Sequence, residues 1–285
     1  LKSINTMLSF GVTTVEAKSG YGIGDFDTEV RQMEVALKLH EDQAVDIEPT
    51  FMGAHAVPKE YEDKADEFVD IVIDEMLPQV VEKKLARFND VFCEEGVFTV
   101  EQSRKILAGK KMGLIPKVHA DEIVDLGGGE LAADVGCISA EHLMAVNDRS
   151  IDRLAEEGVV AVLLPGTSFN LQAKVVAPAR KMIEKGVPVA LATDYNPGSC
   201  PTENLQFIMT LGSQLLKMTP DEAMTAVTIN AAAALAIEEE KGSLVEGKIA
   251  DIAIFDVPNL EYMVYHFGIN HTDKVIKNGK IVYEK

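Results

Sequence analysis

Short runs of apolar and β-branched residues alternate along the chain with longer stretches in which apolar positions recur every three to four residues. That alternation is the mark of a parallel sheet whose strands are joined by crossover helices. The short runs predict strands at Thr13–Ala17, Ile47–Ala54, Asp90–Phe92, Ile115–His119, Ser139–Leu143, Val159–Leu164 and Val187–Ala192. Between them the helical period predicts Thr28–Glu41, Glu60–Lys84, Thr99–Lys111, Gly129–Val135, Ile151–Glu157 and Val175–Lys185, several ending at a glycine that can cap the last turn. Two further helices are expected after the seventh strand. The tail changes period: Ile249–Val257 and Lys274–Tyr283 alternate every second residue, and Asn278-Gly279 inside the second is a hairpin turn signal.

The order of elements selects an α/β architecture. Seven βα units behind a front that opens at Leu1, in the tail of a helical pattern, predict a (β/α)8 TIM-like barrel whose first strand is missing through amino-terminal truncation. An open doubly wound sheet is the other arrangement, but no GxGxxG follows the first strand. The expected division is a barrel over residues 1–243 and part of a small β-sandwich over 244–285.

Composition narrows the function classes. With 27 Lys plus Arg against 46 Asp plus Glu, the net charge is −19, which disfavours a surface that tracks nucleic-acid phosphates. No apolar run long enough for a membrane span occurs, and no leader pattern opens the chain. Cys93, Cys137 and Cys200 are widely spaced and form no CxxC, so a reducing cytoplasm is the expected setting. A homodimer is the default assembly.

Candidate chemistry sits at predicted strand ends. His119 lies in PKVHADE, His142 in SAEHL, and Asp194 closes an apolar strand in ALATDYNPG. Singly, each has a bland explanation: a hydrogen-bonded core histidine, or an Asx turn residue. Together, two imidazoles and a carboxylate from different strand ends are what a metal and a hydrolytic water require. Two protein ligands do not complete a catalytic zinc site, which commonly has three plus water.

The strings GVTTVEAKSGYG, TFMGAHAVP, DVFCEEGVF, KVHADEIVDLGGGELAADVGCISAEHL, LLPGTSFNL, ALATDYNPGSCPTENLQFIMTL and NLEYMVYHFGINH resemble the imidazolonepropionases of the amidohydrolase superfamily, from end to end of the chain. The resemblance implies a hydrolase that opens the ring of 4-imidazolone-5-propanoate to N-formimidoyl-L-glutamate, the third step of histidine breakdown, with one zinc or iron ion. It implies that His119 and Asp194 are metal ligands, on the family's fifth and eighth barrel strands. His142, on the sixth, would lie over the scissile carbonyl or the attacking water. Glu122 matches an acid that contacts substrate and competes with Asp194 as the group passing a proton from water to the departing nitrogen. Tyr21 and His55 match substrate contacts, and Asn196, Gly198 and Ser199 match the loop receiving the product's polar end. Cys93-Glu94-Glu95 stands where binuclear relatives carry a carbamylated lysine, which favours one metal. Two readings stand beside this one: another cyclic amidohydrolase or deaminase of the superfamily, and a non-catalytic barrel fragment, favoured by the lack of any His-x-His.

Overall fold

A computed structural model of the protein describes all residues, 1–285. The parallel strands are β1 (Thr14–Lys18), β2 (Asp46–Ala54), β3 (Phe88–Cys93), β4 (Ile115–Ala120), β5 (Ser139–His142), β6 (Val160–Leu163) and β7 (Val189–Leu191). Their order in the sheet is sequential, β1 to β7. The expected strands thus form within one or two residues of their predicted bounds, and the sequential order is that of a barrel lineage rather than a doubly wound sheet. The tail forms a separate antiparallel sheet ordered β10-β9-β8 from β8 (Ile252–Phe255), β9 (Thr272–Lys277) and β10 (Lys280–Glu284). Asn278 and Gly279 turn the β9–β10 hairpin with φ of 50° and 76°, as a type I′ turn requires.

By contact density the chain divides into two compact units. The first in functional interest comprises Glu16–Asp42 and Ile47–Val159. Here β2 to β5 pair in parallel register, with Phe92 beside His119, His119 beside Glu141, and Lys117 beside Ser139. Residues paired across parallel strands point to the same face, so these pairings place Phe92, His119 and Glu141 in one row. The strands are buried almost throughout, and the opposite face packs Val91, Val118 and Ala140 without solvent contact.

The helices of this unit depart from expectation in two places. The single helix predicted over Glu60–Lys84 is instead a 3-10 turn (Lys59–Tyr61), an α-helix (Ala65–Ile71), a π-helical turn (Val72–Met76) and a second α-helix (Leu77–Glu82). Pro78 accounts for the break: it has no N–H to give to the preceding turn and its ring displaces the carbonyl there, which the wider π turn accommodates. The helix predicted over Thr99–Lys111 is α-helical over Val100–Ile106, closed at its front by a Thr99/Gln102 capping box, and tightens to 3-10 over Leu107–Met112. Asn89 Nδ2 donates to the Ile106 carbonyl at 2.9 Å, taking the acceptor that would continue the α-helical ladder.

The other unit comprises Leu1–Val15, Gln43–Asp46 and Val160–Lys285. β6 and β7 pair in parallel here, with Val162 beside Ala190. The helix predicted over Val175–Lys185 is confined to Ala179–Glu184, because Pro178 disfavours helical backbone at the residue before it, and a short helix over Pro165–Asn170 precedes it. Four helices, not two, follow β7: Leu205–Gln214, Pro220–Val227 and Ile229–Ala233 before β8, and Leu260–Tyr265 after it; the second and third are parted at Thr228, whose φ of −120° and ψ of −97° interrupt the spiral. The antiparallel sheet is tied down by a buried ion cluster in which Lys277 Nζ donates to Asp46 and Asp251 and Lys241 adds a second charge on Asp46. No helix of the protein is long and apolar enough to cross a membrane.

Candidate active site

The inward face of β1, β3, β4 and β5 carries charge where buried strands ordinarily carry apolar residues. Glu16 and Lys18 share a face of β1, Lys117 and His119 share a face of β4, and Ser139 and Glu141 share a face of β5, since side chains alternate along a strand. Lys18 Nζ lies 2.7 Å from Asp90 Oδ2, 2.9 Å from Glu16 Oε1 and 3.7 Å from Glu141 Oε1. Lys117, fully buried, sits 2.9 Å from Glu16 Oε2 and 3.8 Å from Glu141 Oε1, and its ammonium lies 4.9 Å from the centre of the Phe88 ring. Burial alone would raise the Glu16 carboxyl, but Lys117 and Lys18 outweigh it and hold the acid at about 2. Asp90 is likewise held below its ordinary range, its burial overcome by His119 and Lys18. Glu141 moves the other way, raised chiefly by burial.

His119 and His142 stand above this layer with ring centres 5.2 Å apart. His119 Nδ1 is 3.1 Å from Asp90, and Phe92 meets the ring edge-on. Burial lowers the His119 basicity, yet Asp90 more than reverses it. His142 is pushed well below its ordinary value, first by burial and then by the charge of His119, so it is a neutral imidazole at neutral pH. Its Nε2 lies 3.6 Å from Glu122 Oε2.

The loop that presents Glu122 is held by two buried carboxylates absent from the sequence-based candidates. Glu94, at the end of β3, accepts the backbone N–H of Ile123 and Val124 at 2.9 and 3.2 Å. Asp121 accepts those of Leu126, Gly128 and Gly129 at 3.1, 2.9 and 2.9 Å. Asp121 and His142 both adopt left-handed backbone, with φ of 50° and 69°, a conformation that costs about 1–3 kcal/mol and clusters at functional sites. The loop bearing Tyr21 is held in the same fashion, Glu29 accepting the N–H of Gly20 at 2.7 Å and that of Gly22. Gly20 has φ of 113°, and a Cβ there would stand 3.0 Å from both Met52 O and His55 Cβ. His55 Nδ1 meets Gly20 O at 2.9 Å, and Tyr21 packs edge-on against the His55 ring. Tyr21, His55, His119, Glu122 and His142 therefore belong to one unit, and rings of His55, Phe92, His119 and His142 follow one another at 6.1, 6.2 and 5.2 Å.

Asp194, Asn196, Gly198 and Ser199 lie in the other unit. Asp194 has φ of 52°, and its Oδ2 accepts the Thr167 hydroxyl at 2.5 Å. Asn196 organises the loop, its Oδ1 accepting the N–H of Gly198 and Ser199 at 2.8 and 2.7 Å while its Nδ2 donates to Asp194 O and Ser199 Oγ.

Asp90, His119 and Glu141 bring potential metal donors within 4.8 Å of one another. The two carboxylates do not fit as ligands, because Lys18 already supplies their positive charge and a divalent ion would have to displace its ammonium. His119 does fit: Asp90 occupies Nδ1, leaving Nε2 for coordination. Asp194 fits as an oxygen donor whose second partner is a hydroxyl.

The Amidohydrolase family profile matches residues 4–283. The imidazolonepropionases of Alkaliphilus metalliredigens (strain QYMF) and Alkaliphilus oremlandii (strain OhILAs) are each 60% identical over 285 residues, covering 100% of this chain and 67% of their own length. The chain thus spans about two thirds of these curated relatives. An adenosine deaminase from Xanthomonas campestris, solved with bound zinc, shares the fold at a TM-score of 0.73 and 17% identity, over 98% of this chain and 67% of its own. The chain belongs to the amidohydrolase family, on its imidazolonepropionase branch.

Proposed function

We propose that the protein hydrolyses 4-imidazolone-5-propanoate to N-formimidoyl-L-glutamate, in the cytoplasm, with one zinc or iron ion held in part by His119 and Asp194. The observation that carries this reading is the 60% identity, along the entire chain, to curated imidazolonepropionases. A divalent ion, when bound, acidifies water and polarises a carbonyl. The remaining work falls to side chains. Neutral His142 can donate to the developing oxyanion or align the attacking water, and its depressed basicity suits a group that must stay uncharged. Asp194 takes the water proton and passes it to the ring nitrogen as the amide bond breaks, with Glu122, beside His142, the competing shuttle. Tyr21 and His55 face the imidazolone, and the amides held by Asn196 receive the polar end of the product.

Turnover of imidazolonepropionate, followed by loss of ring absorbance, against cytosine and guanine tests the reading. Selective opening of the imidazolone is expected; deamination of either base, or no turnover by folded metal-loaded protein, overturns it.

A further inference from the structure

His119 is the candidate ligand whose orientation the structure explains most fully. One ring nitrogen, Nδ1, lies 3.1 Å from Asp90, whose side chain is fully buried. The other hydrogen-bond partners of that carboxylate are obligate donors: Lys18 Nζ reaches Oδ2 at 2.7 Å and the Val91 N–H reaches Oδ1 at 2.8 Å. An ammonium and a backbone N–H have no lone pair to offer, so both Asp90 oxygens must accept. His119 Nδ1 can meet them only as N–H.

We propose that Asp90, anchored by Lys18, is a positioning residue that locks neutral His119 as its Nδ1–H tautomer and so keeps Nε2 bare. A bare ring nitrogen is what coordination requires, and in free imidazole either nitrogen can carry the proton. Phe92 and His142, packed on the ring, fix its plane, while Asp90 fixes its proton. The value of a bare Nε2 rests on reading His119 as a metal ligand; the tautomer does not.

The lock has a distinctive failure. In Asp90→Ala both acceptor oxygens are gone. The Nδ1–H then has no carboxylate to donate to, and the two ring nitrogens compete for the proton as in free imidazole. A purely structural role for Asp90 predicts no change of tautomer in a folded variant.

The measurement is two-bond 1H–15N correlation of ring-labelled histidine in the metal-free chain, with His119 assigned through His119→Gln and spectra followed from mildly acidic to alkaline pH. In the unaltered protein Nδ1 is expected to stay protonated throughout, with only Nε2 moving to the unprotonated position. In Asp90→Ala the proton is expected to be shared between the two nitrogens, with an Nε2–H signal appearing. A bare Nδ1 in the unaltered protein, or a folded Asp90→Ala that retains Nδ1–H alone, overturns the proposal. Should Asp90→Ala not fold, the unaltered spectrum decides alone. Because neither metal nor substrate is present, failure of the proposed hydrolysis would leave this result standing, and the reverse.

Discussion

Glu122 Oε2 stands 3.6 Å from His142 Nε2, a carboxylate facing an imidazole that burial keeps uncharged. The pair can pass a proton without first separating a strong ion pair. Replacing Glu122 by Gln keeps the shape and removes the transfer. The expected result is a fall in kcat of about 10²–10⁴-fold with the melting temperature unchanged. Steady-state kinetics on the imidazolone substrate checks it, and an unchanged kcat assigns the shuttle to Asp194.

Glu29 holds the Tyr21 loop by accepting two backbone N–H groups from a buried position. In Glu29→Gln one amide must point a donor at a donor. A loss of about 1–3 kcal/mol in unfolding free energy is expected, together with a raised KM as Tyr21 shifts. Chemical denaturation and substrate saturation read the two effects separately.

Lys277 is buried between Asp46 and Asp251. Lys277→Met leaves two carboxylates to Lys241 alone and is expected to cost about 3–5 kcal/mol, because an uncompensated buried charge remains. Adding Asp251→Asn should recover part of that loss. A double-mutant cycle by urea unfolding measures the coupling; strict additivity would mean the cluster is not an interacting unit.

Arg180 meets Glu222 through two nitrogens at 2.8 Å each, and Glu222 also closes the capping box of its helix. Arg180 and this cap hold Glu222 at about 2. A lowered carboxylate favours the folded state above its unfolded pKa of about 4.3 and stops doing so as pH falls through its folded value. Both groups are partly exposed, so Glu222→Gln is expected to cost only about 1 kcal/mol near neutral pH. The gap between variant and parent should close between those two values, as thermal melts across acidic pH will register.

Much of this was legible in the sequence for identifiable reasons. The strands were legible because buried parallel strands are short apolar runs with polar residues at their ends, which brought out His119, His142 and Asp194. The layer of Glu16, Lys18, Asp90, Lys117 and Glu141 left a signal too, charges at alternate positions of otherwise apolar strands, but only the register reveals which charges meet. Glu94 and Asp121 left none: their partners are amides of a loop whose path depends on where two strands end. The broken helix around Pro78 was missed because apolar spacing survives a π turn that shifts its phase by one residue.

The paired lysines and carboxylates inside the sheet also bear on how the chain finds its fold. Sliding β4 by one residue against β3 and β5 would turn Lys117 and His119 toward the apolar layer occupied by Val118 and leave Glu16 and Glu141 to share Lys18, which also serves Asp90. Apolar contacts alone tolerate such a slip, because valine and alanine interchange at modest cost; a stranded ammonium does not. The cluster therefore acts as a proofreader of strand alignment, rejecting misregistered sheets during folding before any substrate is encountered.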